Sequence, residues 1–300
     1  MSAESLRGTQ SVVGQMGWVF TRPSLTVLEV AWRWIFGAPL LAVCWVQARH
    51  ILAALPTSSA GLDSLDLANP WLSSLKLAAA WDMYRPHMVG VLQWLAPVAA
   101  VAWVVLSALG RNLVIMRMEP RTRFRPLALM VLQAVWLAVL GLTGWAWFRC
   151  VGWAAATHIG TGAEPDLVGY SIWIIFFSLG FFTLWALVSW AVAIAPMLVL
   201  LEGCGPGAAI TRSLRLGKPF TSKLVEINLV MGIVKLALLV VAMVFSSVLI
   251  PFSDEIGAGA LHLEWVVVSL FYFIASDYFH VVRLKSLLEF WRVFRAPLRH

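Results

Sequence analysis

Lys235 and Asp277 each sit inside a long apolar run, and that placement is the first sign of chemistry in this chain. A charge at bilayer depth costs roughly 2.5–3.5 kcal/mol on insertion scales, so such groups pair, line a cavity or move ions. Lys235 lies about ten residues into its run and Asp277 a similar number from the basic end of the next, which brings them within about a turn of opposite if the chain turns near 252–262. Two uses are open: an ion pair clamping two spans, the simpler reading, or a proton- or ion-coupling site. Glu29 and Arg33 are four residues apart, a spacing that suits a local helix pair. Gln93 and Gln133 are candidates for hydrogen bonds between spans.

A second set is His50, His87, His158 and His262, each near the end of a different apolar run, with Asp82, Asp254 and Glu264 close in sequence. Imidazoles at a common depth could ligate a metal. No two of them have the i,i+4 spacing that places ligands on one helix face, so boundary residues and no metal are expected. Cys44, Cys150 and Cys204 fall in separate segments without C-x-x-C spacing, which indicates neither a disulfide framework nor a zinc site. The catalytic patterns G-x-S-x-G and H-E-x-x-H do not occur. No catalytic residue and no cofactor is therefore assigned.

The stretch "LEGCGPGAAITRSLRLGK", residues 201–218, looks most like a functional loop. A phosphate loop of the G-x-x-x-x-G-K-[ST] type needs glycine N–H groups to cradle phosphates and a hydroxyl to bind magnesium. Here Pro219 follows Gly217-Lys218, and Arg212 stands where the first glycine belongs. Gly203, Gly205 and Gly207 follow an apolar span rather than a strand, so they form no dinucleotide fingerprint either. The spacing predicts instead a helix, an elbow and a short interfacial helix from Ala208. Its Arg212 and Arg215, with Lys218 beyond, are placed to meet anionic headgroups.

These groups must be positioned by membrane-spanning helices. Of 300 residues 61% are hydrophobic and 12% charged, against about 25% charged in soluble domains. Seventeen Trp suit headgroup-level belts. About 20 apolar residues span a bilayer core, and six runs qualify: 27–54, 87–110, 127–156, 170–200, 225–251 and 263–283. The expected fold is an all-α polytopic bundle of about six spans with short amphipathic interfacial helices, one integral membrane domain over 1–300. Arg22-Pro23, Arg85-Pro86 and Arg125-Pro126 precede runs as proline helix starts would. Pro39, Pro97 and Pro196 lie inside runs and predict kinks.

Sixteen of the 22 basic residues fall in the N-terminal segment, 111–126, 202–224 and the tail, all on one side of the six spans. The other side carries Asp63, Asp66, Asp82, Glu164, Asp166, Asp254 and Glu255. The positive-inside rule then puts both termini in the cytoplasm. Basic residues alternating with spans do not form the continuous face that nucleic acid needs. The first apolar run is too long for a cleavable signal, and "LAVC" ending at Cys44 lies too deep for a lipoprotein box. Trp71, Leu72, Leu75, Ala78 and Trp81 have helical spacing and predict a short helix on the outer leaflet. The tail's Leu287, Leu288, Trp291 and Phe294 predict a second one inside, held by anionic lipid.

"APMLVLLEGCGPGAAITRSLRL" followed by "GKPFTSKLVEINLVMGIV" resembles the membrane domain attached to some bacterial glycerophosphodiester phosphodiesterases, and related six-span bacterial membrane proteins. Pro196, Glu202, Gly205, Ala209, Ser213, Leu216 and Lys218 carry the resemblance. Hydrolysis in those proteins belongs to a separate barrel, so the resemblance implies a membrane home and an architecture. The expected function is a non-enzymatic module of the bacterial inner membrane that organises lipids or membrane-protein partners. The alternative is a transporter or channel for a small solute using the Lys235 and Asp277 region.

Overall fold

The computed structural model describes residues 8–59, 61–64, 70–159, 166–215, 218–247 and 258–295. Nine helices and no strand occur among them: α1 (Gly8–Phe20), α2 (Pro23–Ala54), α3 (Pro70–Met118), α4 (Pro126–His158), α5 (Leu167–Val192), α6 (Ala195–Glu202), α7 (Pro206–Leu214), α8 (Lys218–Ser247) and α9 (Ala258–Arg295), with a 3-10 turn at Leu62–Ser64. Six segments are long and apolar enough to cross a bilayer: Pro23–Ala54, Ala79–Met118, Pro126–His158, Leu167–Ser189, Leu224–Ser246 and Leu263–Arg292. The protein is an all-helical, multi-pass membrane bundle.

Proline and glycine set most of the helix ends. Pro126, Pro196 and Pro206 occupy first turns, where no intrahelical partner awaits an N–H. Gly203, in the left-handed conformation at φ 71°, ends α6 and returns its N–H to the Val199 carbonyl. Two prolines depart from expectation. Pro86 does not open a span but lies inside α3, a helix of 49 residues that runs through to Met118. It frees the carbonyl of Asp82, an exposed residue. Pro196 does not kink the fourth span; the chain breaks at 193–194 and Pro196 starts the separate helix α6.

The chain forms two compact units, residues 31–107 and residues 1–30 with 108–300. Residues 31–107 hold parts of α2 and α3. Their aromatic cluster joins Trp32 and Phe36 to Trp103, with ring centroids 5.8 and 5.1 Å apart. Tyr84 donates from its hydroxyl to the Leu55 carbonyl at 2.9 Å.

In the larger unit the buried core gathers where the basic residues are. It comprises Val12 and Val19 of α1, Val114 and Ile115 of α3, Leu129 of α4, residues 195–200 of α6, Leu224, Ile227 and Met231 of α8, and Val281, Val282, Leu284, Leu287, Leu288 and Trp291 of α9. The tail is therefore no separate surface helix. α9 continues to Arg295, and Leu287, Leu288 and Trp291 are buried by protein rather than by lipid, because α1 packs against α9. At the other end α4 and α5 meet through aromatic pairs such as Trp153 and Trp173, 5.5 Å apart, and Trp147 donates to Ser178 Oγ at 3.0 Å. None of the most apolar stretch of α5 is buried within the protein.

Candidate functional site

The C-terminal half of α9 reads "SDYFHVVRLKSLLEFWR" from Ser276 to Arg292, and it organises the polar chemistry of the basic end. Asp277, His280, Lys285 and Ser286 are all buried there. Residues 277, 280, 281, 284, 285 and 288 repeat at helical spacing, so acid, imidazole and ammonium share a stripe with valine and leucine. His280 Nε2 stands 3.7 Å from Oε1 of Glu29, which α2 carries fully buried. Tyr278 donates to the Met16 carbonyl of α1 at 2.9 Å.

Lys285 Nζ lies 4.3 Å over the ring of Trp18, which also receives Arg22 at 4.0 Å. A ring face carries the negative part of the aromatic quadrupole, so Trp18 serves as counter-surface for both cations. Lys285 reaches Glu289 at 3.1 Å, Glu289 accepts from Arg292 at 3.2 Å, and Arg292 goes on to Glu119. One chain of charges thus runs from α1 along α9 to the segment that follows α3.

A second lock holds the α3–α4 connection against the α6–α7 elbow. Arg123 donates its backbone N–H to the Leu200 carbonyl at 3.3 Å, and Arg125 donates from its guanidinium to the Gly203 carbonyl. These carbonyls close α6, where helix carbonyls lack partners and cations are favoured. Asn112 accepts from the Arg125 backbone N–H at 3.3 Å. Glu202, nearly buried, takes Arg212 at 2.8 Å. In α7, Ala209 and Ser213, four residues apart, face the protein, while Arg212, Leu214 and Arg215 are exposed.

Lys235 is half-buried in α8 and Asp277 buried in α9, the two helices pack together, and neither residue stands without a partner. Of the residues expected to meet headgroups, Arg212 is engaged by Glu202, Arg215 is exposed, and Lys218 begins α8 with its side chain outside the described set. His50 and His87 are exposed, and the side chain of His262 is outside the described set. His158 meets Asp166 at 3.0 Å. Among the described residues no three His, Cys, Asp or Glu side chains converge to hold a metal.

Asp166 caps α5, accepting the Gly169 N–H at 2.8 Å. That bond first, and His158 second, hold its carboxyl below its ordinary value of 3.8. Of the outer leaflet helix expected near 71–81, α3 supplies the helix; Trp81 is exposed, and the other four side chains lie outside the described set.

Two open clefts are lined mainly by apolar groups. One of about 470 Å³ lies between α8 and α9, against Leu239, Met243, Trp265, Val268 and Tyr272. Another of about 370 Å³, within residues 31–107, meets Cys44, Gln47, Ile51, Tyr84 and Leu92.

Sequence reasoning counted Arg283, Lys285 and Arg292 only as topology charges and passed over His280. The helical stripe through 277, 280 and 285 was the signal available for them. The links from Glu29 to His280 and from Glu119 to Arg292 join residues more than 170 positions apart and left no local trace. Compared with known protein families, with curated proteins and with solved structures, the chain gives no match.

Proposed function

We propose that this protein is a non-enzymatic module of the bacterial cytoplasmic membrane, with both termini in the cytoplasm, that holds anionic headgroups and organises lipids or membrane-protein partners. One observation carries the reading: the charged groups along the C-terminal part of α9 are engaged across helix boundaries, from Trp18 through Lys285, Glu289 and Arg292 to Glu119. Such a network makes a rigid platform, and a solute path needs polar groups turned to water instead. The two clefts, mainly apolar, favour acyl chains over hydrated solutes. The excess of basic residues at this end supports the orientation. The resemblance of residues 195–234 to the membrane domain of the phosphodiesterase family supports the membrane home.

A second reading, a transporter or channel, draws on one feature, the buried Asp277 and half-buried Lys235 on adjoining helices. The two readings part in reconstituted vesicles. The module leaves imposed proton and sodium gradients intact and copurifies with anionic lipid. Gradient collapse that disappears in Asp277→Asn would replace it with the transporter.

A further inference from the structure

We infer that an anionic phospholipid seats its phosphate on Arg121 and Arg123 of the α3–α4 connection, with Phe124 and Leu127 entering the leaflet beside it. This deepens the proposed function and rests on it, and it moves the headgroup site away from Arg212. The segment reads "RTRFRPL" from Arg121 to Leu127, and its backbone is pinned at several points. Thr122 is buried and donates to the Glu119 carbonyl at 2.8 Å. The Arg123 N–H is held by Leu200 and the Arg125 N–H by Asn112. With those positions fixed, Arg121, Arg123 and Phe124 are left projecting outward, and Leu127 follows in the first turn of α4.

The charges on this surface are uncompensated. Glu119 is taken by Arg292 and Glu202 by Arg212. Among the described residues no carboxylate pairs with Arg121 or Arg123. The Arg123 and Arg125 guanidiniums also crowd one spot: a methyl on Gly203 would lie 3.3 Å from Arg125 Nη2 and 3.8 Å from Arg123 Nη1. Side-by-side cations repel; Arg125 is anchored on the Gly203 carbonyl, so a phosphate on the planar fork of the exposed Arg123 relieves the repulsion. Such recognition would also serve free phosphate.

The apolar neighbours select the lipid. Phe124 is 54% and Leu127 75% exposed, at the start of a helix apolar enough to span the bilayer. That is the headgroup level, where guanidinium in water and ring in the acyl boundary are satisfied together.

The test uses the full chain in mild detergent, titrated with phosphatidylglycerol or phosphatidylcholine and read by native mass spectrometry. The native protein should prefer phosphatidylglycerol. Arg121→Gln with Arg123→Gln should weaken its retention about tenfold, and Arg212→Gln less than twofold. Phe124→Ser with Leu127→Ser should weaken phosphatidylglycerol retention as well, while circular dichroism shows each variant folded. Undiminished retention in the Arg121 and Arg123 variant overturns this site and leaves the proposed function standing. Equal retention of both lipids by the native protein overturns the function beneath it. Competition by inorganic phosphate at equal concentration, with no effect of the Phe124 and Leu127 variant, overturns the lipid in favour of a soluble anion.

Discussion

The two halves of α9 invert the usual arrangement of a globular protein. From Leu263 to Ile274 the helix is almost wholly apolar and mostly exposed, with Trp265, Val266 and Phe271 uncovered. From Asp277 to Trp291 it is rich in charge and mostly buried. The difference lies in the solvent. Lipid tails are as apolar as leucine, so covering the N-terminal half gains little from the hydrophobic effect. The C-terminal half, rich in charge, suits the aqueous boundary, where burying Leu287 and Leu288 is worth about 25 cal/mol per Å² of apolar surface. Tight packing therefore collects at the basic end. Among the charges drawn in with it, Lys285 is met by Glu289 and by the Trp18 ring and His280 lies near Glu29, while the buried Arg283 Nε makes no hydrogen bond among the described residues.

The comparison breaks most visibly if the deepest charges are removed. Should Lys235 and Asp277 form a buried pair, Lys235→Ala or Asp277→Ala alone would cost about 3–5 kcal/mol. The double variant would cost less than the sum, read in a thermal or denaturant cycle in detergent. Additive small losses would instead leave these charges to solute coupling.

The same substitution in the two halves of α9 sharpens the contrast. Leu288 is 1% exposed and Leu263 65%. Leu288→Ala should cost about 2–5 kcal/mol, while Leu263→Ala should stay within about 0.5 kcal/mol. Equal losses would mean that the N-terminal half is covered after all, by a partner helix.

Smaller again is Tyr278→Phe, which removes the hydrogen bond to Met16 and should cost about 0.5–1.5 kcal/mol. The loss should show as faster amide exchange in α1 with α8 unchanged.

The smallest effect belongs to the exposed cap of α5. The folded carboxyl of Asp166 titrates below its ordinary 3.8. Its contribution is thus complete above that pH and is lost as pH falls through the lower, folded value. Asp166→Asn should abolish this acid dependence, seen as amide exchange at the start of α5 measured between pH 2 and 5.

Most of the bundle was legible in the sequence because lipid imposes a local rule. A stretch of about 20 apolar residues must be helical and must span. Pro206 and Gly203 announced the elbow for an equally local reason, since a missing N–H and a left-handed backbone end helices wherever they stand. Pro86 misled because proline is also tolerated inside a membrane-spanning helix when other groups re-satisfy the backbone it frees.

By itself, then, the sequence determined the solvent, the six apolar helices and the uneven distribution of basic residues, all set by residue type along short windows. The tertiary structure alone decided that α1 covers α9, that Glu29 meets His280, and that Arg212 is spent on Glu202 while Arg121 and Arg123 stay exposed. Those outcomes depend on which surfaces remove one another from water. That is a property of helix pairs distant in the chain, and no window of sequence contains it.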